Sequence, residues 1–303
     1  MTRKVRRSHK SVQPKYTMHF IAAFLAALVG LTAWAHQQGL IDWQLPGFLA
    51  NAVASTDTGP AMGAVQGASQ GNCPEQFLGG AAPALTNDKL RAKTRELCYT
   101  GFAVLNSGVT LTPLWAAEHL TAQRVEAARA LVRVDSFHAD ENLPAGERAD
   151  LADYKGYPYD RGHMAPNGDM PDERSQAECF TLANIVPQDA DNNRGIWSSI
   201  EQTVRGMAEK DGDVYVVTGP IFAGDDLKQL NDRVFVPTQI FKAVYDVKKH
   251  QAAAYLVNNV PGHEYEIITI AKLQMLSGIQ VFPGLPADAT SELSLPMPSG
   301  HKG

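Results

Sequence analysis

Two hydrophobic periods run through this chain, and each predicts a different kind of element. Short runs rich in β-branched and aromatic residues predict strands at Phe102 to Leu105, Leu114 to His119, Ala130 to Val134 and around Leu182 to Val186. Further strands are predicted at Val214 to Thr218, Val234 to Val236, Phe241 to Val247 and Ala253 to Asn258. The helical period is clearest from Asn192 to Lys210, where Ile196, Trp197, Ile200, Val204 and Met207 form one apolar stripe. Weaker helical patterns cover Asp88 to Cys98, Met170 to Cys179 and Ile270 to Leu276, the last stopping at Gly278. Strands and helices do not alternate regularly. The expected fold class is therefore α+β, a mixed or antiparallel sheet with helices packed on it.

The N-terminal third breaks this pattern. Met18 to Ala35 is an apolar run with no Asp, Glu, Lys or Arg, preceded by a basic flank. It suits a signal peptide, with Ala33-Trp34-Ala35 as an A-x-A cleavage site, or an uncleaved membrane anchor of near-minimal length. Either way the basic flank stays cytoplasmic and the rest is exported, to the periplasm or beyond, or held at the inner membrane. Residues 36–72, rich in Ala, Gly, Ser and Gln, form a linker. A domain spans 73–290, and 291–303 is a tail. We find no internal repeats.

Composition narrows the partners. The formal charge is −5, but the first 35 residues hold six of the 27 Lys and Arg and no acid. The remainder carries 21 basic against 32 acidic residues, a balance of −11. That excludes a nucleic-acid coat, whose affinity scales with the phosphates it neutralises. It permits an enzyme that grips one phosphate with a few arginines. Three cysteines, Cys73, Cys98 and Cys179, contain no C-x-x-C pair. In an oxidising compartment Cys73 could bond Cys98, leaving Cys179 as a buried odd thiol.

Candidate chemistry gathers in two places. Asp160-Arg161-Gly162-His163 ends a long loop between Pro158 and Pro166-Asn167-Gly168. Asn193-Arg194-Gly195 opens the amphipathic helix, with Glu201 and Arg205 following. At about 100° per residue, Glu201 lies roughly 80° and Arg205 roughly 120° round from Asn193, on one flank. Asn193 and Glu201 are about 12 Å apart along the axis, too far to bind one ion together. On these residues alone Asn193 could equally be a helix cap and Glu201 a solvated side chain. His263-Glu264 begins like the zinc-protease H-E-x-x-H, but position 267 is Ile. His119, His138 and His250 have no ligand spacing, and Trp197 belongs to the core stripe.

Five segments together resemble the DNA/RNA non-specific endonucleases of the ββα-metal class, which include endonuclease G. They are Ala152-Asp153-Tyr154, Tyr159 to Pro166, Leu182 to Gln188, Asn193 to Trp197 with Glu201, and Thr218-Gly219-Pro220. Order and spacing match over about residues 90 to 285. The resemblance implies a ββα-metal element and a Mg²⁺-dependent cut (Mn²⁺ as a substitute) in DNA and RNA without sequence preference. It makes His163 the general base, an imidazole with a pKa near ~6.5. Asn193 becomes the sole protein ligand of a hydrated Mg²⁺, and Glu201 orients water around that ion. Arg161 and Arg205 lie near the scissile phosphate or brace the site, and Arg133 is the candidate for the family's upstream phosphate arginine. Asp160, Asn184 and Gln188 are structural. A homodimer stays open, the membrane is a partner if the anchor is retained, and no protein partner is deducible. Two rivals remain: a silent binding module on this fold, and a phosphodiesterase for a small substrate.

Overall fold

The computed structural model describes residues 72–285 and 294–298. The signal or anchor segment, nearly all of the linker and most of the tail lie outside the described residues. Among the described residues, no helix is long and apolar enough to cross a membrane.

The strands in chain order are β1 (Ala84–Leu85), β2 (Thr94–Cys98), β3 (Ala103–Ser107), β4 (Thr112–Thr121), β5 (Tyr159–His163), β6 (Ile185–Asp189) and β7 (Asp213–Ile221). They continue with β8 (Gln229–Leu230), β9 (Val234–Phe235), β10 (Gln239–Asp246), β11 (Gln251–Asn258), β12 (Glu266–Ile268) and β13 (Ile279–Gln280). Helices are α1 (Ala122–Arg129), α2 (Glu173–Cys179), α3 (Ser198–Asp211) and α4 (Ile270–Ser277). Seven strands build one sheet in the order β12-β11-β10-β7-β4-β3-β2, and every pair in it is antiparallel.

Alternation along the strands sends residues to opposite faces, and both faces are covered. One face carries Ala116, Leu120, Val214, Val216, Ile240 and Val244 against the α3 stripe of Ile200, Val204 and Met207. The other carries Trp115, Ala117, Val217, Phe241, Ala243 and Tyr245 against Leu273, Ile279 and Phe282. Central strands covered on both sides read as nearly continuous apolar runs, which is why sequence pattern finds them. Within the tail, Leu295 joins the first cluster and Pro296 O accepts the Tyr255 hydroxyl at 2.6 Å.

Two elements differ from the sequence reading. Asp88 to Cys98 is not a helix: a short turn at Asp88–Leu90 gives way to β2, which pairs with β3. Leu97 pairs opposite Val104, and that pairing, not the local helical spacing, decides the state of the segment. Ala130 to Val134 is not a strand. Thr121 caps α1 by accepting from Arg124 N, and beyond Arg129 the chain runs as an irregular strap. That strap has no sheet edge to join; Val134 N donates to Gln176 Oε1 instead. The 73–98 staple is formed, with Cys73 and Cys98 bonded at a Cα–Cα distance of 5.7 Å, and Cys179 is free and buried.

Candidate active site

Asp160 to His163 is not a loop end but strand β5, paired antiparallel with β6 so that Gly162 faces Val186 and His163 faces Ile185. Gly162 has a steric reason: a Cβ there would lie 2.1 Å from Gln188 Oε1. Gln188 Nε2 in turn donates to Asn192 Oδ1 at 3.0 Å, tying β6 to the start of the helix. Asn184 locks the stretch after His163, donating to Ala165 O and Cys179 O while accepting from Ala165 N. Both amides are buried and act on geometry, as expected.

The helix begins before Asn193. Asp189 caps the turn at Ala190–Asn192, which continues through a wide turn at Asn193–Trp197 into α3. Asn193 is thus inside the helix and not its cap. The wide turn carries a backbone break at Gly195, where a Cβ would meet His263 Cε1 at 2.7 Å. Ideal-helix angles therefore do not carry from Asn193 to Glu201. Strand β5, strand β6 and this helix make the expected ββα unit.

Arg133, Arg161, His163, Asn193, Glu201 and Arg205 all line one cleft of about 380 Å³. All six residues singled out in sequence are brought together. Arg161 and His163 share the cleft face of β5, and Asp160 takes the other face. Asp160 accepts Asn193 Nδ2 at 2.9 Å and both Arg194 Nε and Nη2, at 2.8 and 2.6 Å. Partial burial raises the Asp160 pKa, but the hydrogen bonds from Arg194 and Asn193 and the Arg194 and Arg161 charges outweigh it, leaving it below the usual carboxylate value. An ionised carboxylate only accepts, so it fixes the amide nitrogen of Asn193 toward itself and leaves Oδ1 turned away. A hard carbonyl oxygen free of other partners is the donor Mg²⁺ prefers. The residues present fit such an ion.

His163 is 9% exposed and packs against the touching pair Phe137 and Phe180, with ring centroids at 5.4 and 5.0 Å. Its Nε2 is enclosed without a hydrogen-bond partner, which leaves Nδ1 for the cleft. Burial disfavours the imidazolium, Arg133 and Arg161 repel it, and Asp135 pulls weakly the other way; the pKa is lowered to about 3. This corrects the ordinary value expected from sequence. Arg161 lies over the Phe137 ring at 4.0 Å and Arg133 over Phe180 at 5.2 Å, so the aromatic pair holds base and arginines together. Glu201 has a pKa raised to about 6, because burial outweighs the Lys242 and Arg205 charges.

Sequence reasoning missed Arg194, which clamps Asp160, and Asp169, which holds Arg205 at 2.8 Å. Arg194 stood in a quoted motif and could have been flagged. Asp169 lies 36 residues from Arg205, and no local pattern links them.

The comparisons agree with this geometry. The model of the DNA/RNA non-specific endonuclease family matches residues 82–288. The mitochondrial nuclease EXOG of Homo sapiens is 32% identical over 282 residues, covering 82% of this chain and 74% of that protein. The EXOG of Danio rerio is 34% identical over 218 residues, covering 64% of this chain and 63% of that protein. The mitochondrial endonuclease G of Bos taurus is 28% identical over 247 residues, covering 75% and 80%. A crystal structure of an EndoG/EndoGI complex overlays with a TM-score of 0.56 at 23% identity, over 66% of this chain and 89% of that one, a likeness of fold. A match over most of the chain together with the assembled ββα cleft shows that this protein belongs to the DNA/RNA non-specific endonuclease family, a family of metal-dependent nucleases.

Proposed function

We propose that the chain is an exported, Mg²⁺-dependent endonuclease that hydrolyses DNA and RNA without sequence preference. The observation that carries this is the convergence of a neutral histidine, an amide oxygen and four arginines on one cleft, Arg194 among them paired with Asp160. Phosphate contacts fix position and carry no base information. A cleft that grips only phosphate is therefore indifferent to sequence and to the 2′-hydroxyl.

Arg133, Arg161 and Arg205 hold the scissile phosphate. His163 is neutral at pH 7, and its Nδ1 takes the proton of the attacking water. The water oxygen bonds to phosphorus, the P–O3′ bond breaks, and the leaving 3′-oxygen takes a proton from solvent water. Asn193 Oδ1 would hold the ion, and Glu201 would orient water near it. When bound, such an ion neutralises phosphate charge as a Lewis acid, and Mn²⁺ would substitute. Strand β5 supplies base and phosphate arginine; the helix supplies the metal ligand.

Export is supported by the basic flank and apolar run at 18–35 and by the Cys73–Cys98 disulfide, since such bonds persist in oxidising compartments. A mass measurement of the mature N-terminus distinguishes cleavage from anchoring.

The decisive assay incubates the purified protein with plasmid and with RNA, in Mg²⁺ or in chelator. Degradation of both, only with the metal, is expected; intact plasmid and RNA in Mg²⁺ would refute the activity. His163→Ala should abolish turnover and spare substrate binding. Asn193→Ala should shift the Mg²⁺ dependence, and an unchanged titration removes Asn193 from the metal.

A further inference from the structure

The sheet face beneath the cleft carries charges that the proposed chemistry does not use. Alternation places Glu118 of β4, Thr218 of β7 and Lys242 of β10 on the face that supports α3. Glu118 and Lys242 are each 1% exposed. Lys242 Nζ donates to Thr218 Oγ1 at 2.7 Å and lies 5.6 Å from the Trp197 ring centroid. Arg124 of α1 crosses from this layer to the cleft wall. Its Nη2 is 3.5 Å from Glu118 Oε2, its Nη1 donates to His119 O at 3.0 Å, and its Nε donates to Asp169 O at 2.8 Å. Asp169, 2% exposed, accepts Arg205 Nη1 on Oδ1, and Arg205 lines the cleft. Contacts thus run from Glu118 through Arg124 to the Asp169 backbone, and from the Asp169 carboxylate to Arg205 in the cleft.

An arginine on a free stem loses rotamer entropy when a substrate fixes it. Held beforehand, its fork costs nothing further at the moment of reaction. The Asp169–Arg205 pair does that holding. Buried ion pairs are poor stabilisers against apolar replacements, so stability alone does not account for building this one.

We propose that Asp169 is a positioning residue for the reaction, aiming Arg205 into the phosphate cleft, with Glu118 bracing it through Arg124, which reaches both Glu118 Oε2 and Asp169 O. The proposal rests on reading the cleft as a phosphate site. Glu118 faces Asp169, Lys242 and Arg124, with Arg205 and Glu201 beyond. Burial and the Asp169 charge raise its pKa to about 8, against the pull of Lys242 and Arg124. At neutral pH it is therefore a carboxylic acid, while Asp169 keeps its ion pair with Arg205. Above about 8 the second carboxylate ionises and competes for the same cations.

The test is a double-mutant cycle on kcat/KM for single-stranded DNA in Mg²⁺. Asp169→Asn should lower it about 10- to 100-fold, and adding it to Arg205→Ala should cost less than about 3-fold more. Multiplying losses would overturn the proposal. Glu118→Gln keeps a neutral donor of the same shape, so it should stay within about 3-fold at pH 7 and hold its activity above pH 8, where the wild type declines. An alkaline limb identical to the wild type overturns the bracing role. Should Asp169→Asn not fold, the shift produced by Glu118→Gln must disappear in an Arg205→Ala background. The same cycle on the Kd for a DNA oligonucleotide in chelator reads the positioning without cleavage. A protein that binds but never cuts then indicts the proposed activity, while additivity in Kd indicts the positioning.

Discussion

His163 sits where its own charge is least welcome, against two aromatic rings and beside two guanidiniums. The unfolded chain binds a proton near pH 6.5 that the folded chain refuses until about pH 3. The folded state therefore loses stability as pH falls below 6.5, and the loss is complete by about 3. At pH 5 it amounts to about 2 kcal/mol relative to pH 8. His163→Gln should lack this loss, so urea midpoints at the two pH values should differ less in the variant than in the wild type. Equal pH dependence would mean that the imidazole is not held neutral. A second residue-scale consequence concerns Asp160, which fixes the Asn193 amide. Asp160→Asn can no longer dictate which end of that amide turns away, and a 10- to 100-fold weaker Mg²⁺ affinity by calorimetry is expected, at the usual cost of removing a group behind a ligand.

Among elements, strand β5 shows why a motif has the residues it has. Gly162 is required because Gln188 occupies the space above it, and Gln188 ties β6 to the helix through Asn192. Gly162→Ala should cost roughly 1–3 kcal/mol through forced displacement, and chemical denaturation measures it. A loss below the error of that measurement would show that Gln188 yields freely. The disulfide acts on another element, bonding the start of the domain to edge strand β2 across 25 residues of sequence. Replacing both cysteines by serine should lower stability by about 3 kcal/mol on chain-entropy grounds. Strand β2 also marks a limit of pattern reading. Asp88 to Cys98 offers apolar residues at helical spacing, and nothing within the segment announces that β3 will pair with it. The α3 helix was legible throughout because its stripe needs only its own residues to declare it.

At the scale of the molecule, the net charge of −5 and a cleft lined by four arginines, Arg194 among them paired with Asp160, point to local grip over a broad electrostatic surface. A cleft that grips one phosphate gives a log–log slope of binding against salt of about −0.7 for single strands. A slope of −6 would show a much larger footprint than the cleft and contradict this account. The same scale explains what was hidden. Arg205 was visible on the helix, but Asp169 reaches it only because α1 and the turn after Pro166 pack against the same sheet face.

The sequence by itself determined the α+β class, the central strands and the main helix, since periodicity is a property of near neighbours, and its resemblance to one family marked six of the residues that line the cleft. Tertiary structure alone decided that Thr94–Cys98 is a strand, that residues 130–134 are a strap, that His163 is neutral to about pH 3, and that Asp169 stands behind Arg205. Strand pairing, desolvation and ion pairing depend on distances between residues far apart in the chain, and only the closed fold sets those distances.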